Sequence, residues 1–140
     1  MEIKILHVED NADDVLLMAM AFRKAGVNAK LEVASDGDKA INVLGGCGPN
    51  LLPACVLLDV KLPSKSGLEV LSWIRQNPAT KRLPVIMLTS SLLPGDVNRA
   101  YGLGANSYLI KPPNLDALIE LVKVIDSYWL RANTSPGPCV

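Results

Sequence analysis

The sequence predicts an α/β protein built on a doubly wound parallel sheet. Five short apolar segments alternate with five segments of helical periodicity along the 140 residues, which is the pattern of right-handed strand–helix–strand units. Two of the apolar segments, 54–58 and 85–88, consist of apolar residues throughout, as is typical of strands buried on both faces. Four of the five end in residues with reactive or charged side chains, at the edge where open α/β sheets bind ligands.

The first half of the chain is predicted to supply three strands and two helices. The first strand covers 3–8, and Asn11 caps the helix that follows it and ends at Gly26. The second strand, around 30–33, alternates apolar with charged residues and is therefore expected at an edge of the sheet. A short second helix leads through a glycine-rich loop to the third strand at 54–58.

The second half is predicted to supply the remaining two strands and three helices. In chain order these are a helix from Gly67 to before Pro78, a strand at 85–88, a helix at 94–101, a strand at 107–110, and a helix from the Asn114 cap to about Ala132. We expect one domain over 1–132. The tail at 133–140 is rich in Ser, Pro and Gly and is predicted to be disordered.

Composition excludes several classes of function. Lys and Arg together number 14, as do Asp and Glu, and no basic cluster is present, so we expect no nucleic-acid partner. No apolar run approaches the roughly 18 residues of a membrane span, and the first residues lack the features of a signal peptide, so a cytoplasmic protein is expected. The 3 cysteines have no CxxC spacing, which argues against a zinc site or a disulfide framework.

The reactive residues at the strand ends are Glu9 and Asp10, Asp59, Thr89 and Lys111. Each alone would be read as a solvated loop residue, but parallel strands bring all of them to one edge. Clustered carboxylates need a cation, and an oxygen-rich set without His or thiolate favours Mg²⁺. We expect Asp59 to be presented in a loop rather than buried.

This set of side chains suits phosphoryl transfer. A carboxylate can attack phosphorus to give an aspartyl phosphate, and the charge on the phosphoryl oxygens then needs a metal ion, an ammonium and a hydroxyl. Lys111 and Thr89 can supply the last two. His7, the only histidine, is expected to be a core residue with a local hydrogen-bond partner, so a donor phosphohistidine must come from another protein.

Four motifs carry a resemblance to a known family. They are Val8-Glu9-Asp10-Asn11, Leu58-Asp59-Val60-Lys61-Leu62-Pro63 followed by Gly67, Leu88-Thr89-Ser90, and Gly104-Ala105-Asn106-Ser107-Tyr108-Leu109-Ile110-Lys111-Pro112. Over residues 1 to about 132 the chain resembles the receiver domain of a two-component response regulator. The stretches 62–67, 82–85 and 88–91, together with the glycine-rich loop before Asp59, are most similar to those of the small stand-alone regulators paired with bacterial and cyanobacterial phytochromes.

The resemblance implies a flavodoxin-like (βα)5 fold with strand order 2-1-3-4-5. It also implies a phospho-acceptor switch that assists its own phosphorylation and dephosphorylation, rather than an enzyme with turnover. By the same resemblance, a sensor histidine kinase is the partner that phosphorylates Asp59. The further roles it implies are Mg²⁺ binding by Glu9, Asp10, Asp59 and the Lys61 carbonyl, phosphoryl binding by Thr89 and Lys111, and an aromatic switch at Tyr108.

Two other functions stay open at this point. A phosphorylation-independent interaction module would share the fold but lack an acid or the lysine of the site. A phosphatase with an aspartyl intermediate would need a second acid two residues after Asp59, where Lys61 stands.

The last helix carries more apolar residues than one core requires, among them Tyr128 and Trp129. Large exposed apolar patches mark interfaces. We therefore expect a homodimer through the fourth helix, the fifth strand and the last helix, the alternative being a helix that is simply covered by its own tail.

Overall fold

A computed structural model describes residues 2–136 and places five strands in one parallel sheet. The strands are β1 (Lys4–Val8), β2 (Lys30–Ala34), β3 (Cys55–Leu58), β4 (Val85–Thr89) and β5 (Ser107–Ile110). Their order is β2-β1-β3-β4-β5, so the predicted doubly wound sheet and strand order are confirmed. β2 lies at an edge, as its alternating pattern predicts.

Helices cover both faces of this sheet. They are α1 (Ala12–Ala25), α2 (Gly37–Gly45), α3 (Gly67–Gln76), α4 (Pro94–Gly102) and α5 (Leu115–Ile125), with a short 3₁₀ turn at Pro49–Leu51. A π-helical stretch, Asp126–Ala132, continues α5, so the predicted end of the last helix is confirmed. Residues 133–136 adopt no helix or strand. The rest of the predicted tail, 137–140, lies outside the described residues, and its disorder stays a prediction.

Side chains at the helix starts explain where the helices begin. The predicted caps are confirmed at Asn11, whose side chain accepts from the Asp14 N–H, and at Asn114, which accepts from the Ala117 N–H. Gly26 ends α1 with a φ of 71°, in the left-handed region that glycine adopts without strain.

The hydrophobic core has one layer on each face of the sheet. On one face, Leu6, Val56 and their neighbours in β1 and β3 pack against α2 and α3. On the other face, Ile5 and Leu57 pack with residues of α1 and α5. Cys55 belongs to this second layer and is fully buried, as expected of a small core residue. The two layers hold the strands firmly, so their carboxyl ends form a rigid platform for the loops.

Gly67 fixes the distance between α3 and the end of β3. A Cβ at this position would lie 1.9 Å from the carbonyl oxygen of Asp59 and 2.9 Å from Cα of Val60. Both neighbours are backbone atoms, so they cannot rotate away. The Gly67 N–H also donates to the Val60 carbonyl at 2.8 Å. The N-terminus of α3 is therefore packed directly against the residue that carries the candidate nucleophile.

Candidate functional site

An open cleft of about 560 Å³ lies at the carboxyl ends of β1, β3 and β4. The residues predicted to bind the metal and the phosphoryl group all line it: Glu9, Asp10, Asp59, Lys61, Thr89 and Lys111. Tyr108, predicted as the switch residue, is not among the lining residues. The structure therefore brings together the residues that the strand ends predict.

Strand register places the acids side by side. Val8 pairs with Leu58 in the parallel ladder between β1 and β3, and the Asp59 N–H donates to the Val8 carbonyl at 3.2 Å. Glu9 and Asp59 therefore follow neighbouring positions of adjacent strands. In the same way, the Lys111 N–H donates to the Thr89 carbonyl at 2.9 Å, which sets Lys111 beside the end of β4.

Three carboxylates form a group that fits a divalent cation. One oxygen from each of Glu9, Asp10 and Asp59 lies within 4.8 Å of the other two. Hard oxygen ligands of this kind suit Mg²⁺, Mn²⁺ or Ca²⁺. Lys61, whose carbonyl the resemblance implies as a further ligand, lines the same cleft. The donor set agrees with the metal site that the resemblance implies.

The expectation that Asp59 is exposed is wrong. Asp59 is only 7% exposed, because other groups of the site surround its carboxylate. Lys111 Nζ lies 2.8 Å from Oδ2, and the Lys61 N–H donates to Oδ1 at 3.3 Å. Asp59 lines the open cleft, so a phosphoryl donor would approach it from that side.

Lys111 is the positive centre of the site. Its Nζ lies 2.5 Å from Glu9 Oε1, 2.8 Å from Asp59 Oδ2 and 2.9 Å from Asp14 Oδ2. An ammonium has three N–H donors, and here three carboxylates accept from it. The ion pairs with Glu9 and Asp59 join the ends of β1 and β3 to the loop after β5.

Asp14 is a site residue that sequence reasoning missed. The sequence attributes its charge, like that of Asp13, to the favourable N-terminus of α1. In the structure Asp14 instead turns toward Lys111. Its place in the first turn of α1, directly after the acids that follow β1, was the available signal.

The buried charges shift one another's pKa values. Burial raises the pKa of Glu9 to about 7, with the hydrogen bond from Lys111 opposing and the charge of Asp59 assisting this shift. Burial also raises the pKa of Asp59, but hydrogen bonds from Lys111 and Thr89 outweigh it and the net shift is downward. Burial lowers the pKa of Lys111, but its hydrogen bonds to the carboxylates outweigh burial, and the net shift of this pKa is upward. Asp59 is thus ionised and Lys111 charged at neutral pH.

A chain of contacts joins Thr89 to Tyr108. The Ser91 N–H donates to Thr89 Oγ1 at 3.4 Å, and the Tyr108 hydroxyl donates to the Ser91 carbonyl at 2.8 Å. Ser91 Oγ donates to Asp96 Oδ2 at 2.6 Å, which ties this loop to the first turn of α4. The half-buried ring of Tyr108 packs against the α2–α3 layer. A movement of Thr89 would therefore act through Ser91 on the positions of Tyr108 and α4.

His7 is buried, as expected, but one of its two ring nitrogens lacks the expected local hydrogen-bond partner. The residue is 3% exposed, and Nδ1 has no hydrogen-bond partner. Burial, assisted by the Lys111 charge, lowers the pKa of His7 to about 4, so the ring is neutral at pH 7. A buried neutral histidine offers no exposed phosphodonor.

Comparison with known proteins identifies the family. Residues 5–123 match the family described as response regulator receiver domain. The chain belongs to this family. Its resemblance to the receiver domains, predicted from four short motifs, is thereby confirmed, and its sheet order and helices are those of the receiver fold.

Two similar proteins are regulators from different organisms. The response regulator Rcp1 of Synechocystis is 39% identical over 136 residues, which cover 95% of this chain and 92% of Rcp1. The probable methanogenesis regulatory protein FilR2 of Methanothrix harundinacea is 42% identical over 136 residues, covering 96% of this chain and 88% of FilR2. Both match nearly from end to end.

Two solved structures extend this likeness to three dimensions. The phosphorylated cyanobacterial phytochrome response regulator RcpA is 36% identical, with a TM-score of 0.88, and the match covers 98% of this chain and 100% of RcpA. The Mn²⁺-bound form of Rcp1 has a TM-score of 0.84 at 39% identity, covering 96% of this chain and 99% of Rcp1.

Within the described residues, no helix, including the π-helical stretch after α5, is long and apolar enough to cross a membrane.

Proposed function

We propose that this receiver domain accepts a phosphoryl group on Asp59 from the phosphohistidine of a sensor kinase. One observation carries the proposal: Asp59, Thr89, Lys111 and the two acids that follow β1 all line one open cleft. In the transfer, an Asp59 oxygen forms a bond to phosphorus while the bond from phosphorus to the kinase imidazole nitrogen breaks. The ionised state of Asp59 favours this step, because only the carboxylate is a nucleophile.

Each neighbour of Asp59 has a task in this proposal. Lys111, which already contacts Asp59 Oδ2 at 2.8 Å, would bind a phosphoryl oxygen, and the Thr89 hydroxyl would bind another. Glu9, Asp10, Asp59 and the Lys61 carbonyl would hold Mg²⁺, which when bound neutralises charge on the phosphoryl oxygens. Ser90 is small and lies beside Thr89, so partner and water can reach the acyl phosphate.

The output of the switch is a change of surface. Phosphorylation would draw Thr89 toward the phosphoryl group and so act on Ser91 and Tyr108, through the contacts that join them. Such a shift between two populated states alters the face that partners bind. We propose that this face includes α4, β5 and α5, and that the chain forms a homodimer through it.

The kinase partner is proposed from the relatives. RcpA is a cyanobacterial phytochrome response regulator, so a phytochrome-type histidine kinase, active in the cytoplasm, is the favoured phosphodonor. Because FilR2 is also similar, a kinase from another pathway is the competing partner. The two predict different outcomes when a purified phytochrome kinase is mixed with this protein: rapid transfer that depends on illumination, or none.

The other two functions have less support. A phosphorylation-independent module would have a defective cleft, but all the acids and the lysine meet in this one. An aspartyl-phosphate phosphatase would need an acid where Lys61 stands. No observation favours a direct role in nucleic-acid binding.

The decisive experiment measures phosphorylation of the intact protein. The chain is incubated with Mg²⁺ and a small-molecule phosphodonor, and its intact mass is then measured by mass spectrometry. We expect the added mass of one phosphoryl group in the wild type and none in Asp59→Asn. An unchanged mass in the wild type, or the same increase in the variant, would refute the assignment.

A further inference from the structure

Asp14 contacts the site without belonging to its metal-type group. It lies in the first turn of α1, and its Oδ2 accepts a hydrogen bond from Lys111 Nζ at 2.9 Å. The group of acids that fits a cation contains Glu9, Asp10 and Asp59. Of the three carboxylates around Lys111, Asp14 is therefore the one that neither accepts the phosphoryl group nor holds the metal in the proposed reaction.

The charge of Lys111 is limited. Its three N–H donors are directed at Glu9, Asp59 and Asp14. After phosphorylation the same ammonium must also serve a phosphoryl oxygen. The Asp59 carboxylate loses its own charge in the acyl phosphate, but the phosphoryl group brings a larger negative charge, so one positive charge then faces more negative charge than before. An anion that takes no part in the reaction lowers the share that acts on the phosphoryl group.

Asp14 could also help by holding the lysine in place, so the two effects must be weighed. Glu9 is 1% exposed and bonds to Nζ at 2.5 Å, and a buried partner at that distance positions the ammonium without Asp14. The Asp14 side chain is 36% exposed, so solvent weakens its interaction with Lys111 without abolishing it. The effect on charge is therefore the larger of the two.

We propose that Asp14 acts through Lys111: its carboxylate competes with the phosphoryl group for the charge of the ammonium and so lowers the affinity of the site for that group. This inference rests on the proposed phosphorylation of Asp59. Asp14 draws the ammonium toward α1, and the unphosphorylated state gains an ion pair that the phosphorylated state must share. The residue thereby sets how readily the switch is turned on.

The experiment compares two neighbouring acids. Asp13 and Asp14 both lie in the first turn of α1, so replacing either by Asn removes the same charge from the same helix end. Only Asp14 contacts Lys111. The affinity for beryllium trifluoride, which stands in for the phosphoryl group, is measured by calorimetry in the presence of saturating Mg²⁺. Thermal melts check that each variant is folded.

We expect Asp14→Asn to bind beryllium trifluoride about fivefold more tightly than the wild type, the scale of a partly exposed ion pair. Asp13→Asn should change the affinity less than Asp14→Asn does, and its effect should vanish near 1 M salt, where the Debye length is about 3 Å. The effect of Asp14→Asn should persist there, because it arises from a contact. Asp14→Glu, which keeps the charge, should restore the wild-type affinity.

The possible failures are distinguishable. If the wild type binds no beryllium trifluoride, the proposed function and this inference both fail. If the wild type binds it but Asp14→Asn matches Asp13→Asn, or binds more weakly than the wild type, the inference alone is overturned. A loss of the Asp14→Asn effect at high salt would also overturn it, since a general field would then be the cause.

Discussion

Glu9 is the proposed metal ligand whose charge depends on pH in the physiological range. Burial raises its pKa from an ordinary value of 4.5 to about 7. The folded, metal-free protein therefore binds a proton on Glu9 more tightly than the unfolded chain does. Between these two pH values, the stability contributed by the protonated acid falls as pH rises. A metal ion needs the ionised acid, so its contribution changes in the opposite direction.

We predict that the affinity for Mg²⁺ rises with pH up to about 7 and then levels off. Calorimetry near pH 6.5, repeated in buffers of different ionisation enthalpy, should detect proton release on Mg²⁺ binding. At pH 8.5, where Glu9 is already ionised, the release should approach zero. An affinity that does not vary with pH, or Mg²⁺ binding without proton release near pH 6.5, would contradict the raised pKa.

Lys111 should stabilise the metal-free fold as well as serve the reaction. It compensates Glu9 and Asp59, both of which are buried. Removing one partner of a buried ion pair costs about 3 kcal/mol, so we predict a loss of this size in the free energy of unfolding of Lys111→Met. Denaturant unfolding measures it. Mg²⁺ should recover part of the loss, because it supplies positive charge to the same acids.

Lys123→Met is the matched control for Lys111→Met. Lys123 pairs with Glu120 at 3.3 Å, but both side chains are mostly exposed, and exposed pairs contribute less than about 1 kcal/mol. Equal losses in the two variants, or a loss in Lys111→Met that Mg²⁺ does not change, would show that the charges of the cleft are not coupled as the distances indicate.

At the scale of elements, the loop between β3 and α3 is the most constrained segment of the site. A methyl group on Gly67 would overlap the backbone of Asp59 and Val60. We predict that Gly67→Ala lowers the free energy of unfolding by about 1–3 kcal/mol, the usual cost of overpacking, and slows phosphorylation of Asp59 by displacing it. Thermal melts and intact-mass time courses measure the two effects.

Gly48→Ala provides the control for Gly67→Ala. A Cβ at Gly48 meets no atom within 4 Å, and its φ of −71° suits any residue. This variant should keep the stability and phosphorylation rate of the wild type. If Gly67→Ala were equally harmless, the close approach of α3 to Asp59 would not matter for the site.

The elements were largely predictable from sequence, since their signals are local. Asn11 and Asn114 mark helix starts because a side chain caps the N–H groups a few residues ahead. The order of strands and the contacts at their ends are not local. The burial of Asp59 and the pairing of Asp14 with Lys111 depend on how a helix sits on the sheet. No periodicity of a single segment contains that information.

At the scale of the whole molecule, exposed apolar side chains lie on α4, β5 and the last helix. They include Tyr101, Ile110, Val124 and Tyr128, which we call the C-terminal apolar surface. Tyr128 and Trp129 also stack edge to face at 4.9 Å. Other large side chains, such as Leu16 of α1, are exposed elsewhere. Exposure alone therefore does not select the interface, and an experiment must compare the surfaces directly.

We predict that the protein forms a dimer through the C-terminal apolar surface and that phosphorylation strengthens it. Tyr108, the proposed switch residue, belongs to β5 and contacts the loop before α4, so we expect a change at Asp59 to reach this surface. A stable interface buries about 1,200–2,000 Å², within which one charge opposed to an apolar partner is costly.

Light scattering with and without phosphodonor should give a dimeric mass for the wild type and a lower mass for Val124→Glu. Leu16→Glu is the matched control, because both side chains are 60% exposed on helices and only Val124 lies on the proposed surface. A monomeric wild type in both states, or dissociation caused equally by Leu16→Glu, would place the output of the switch on another face.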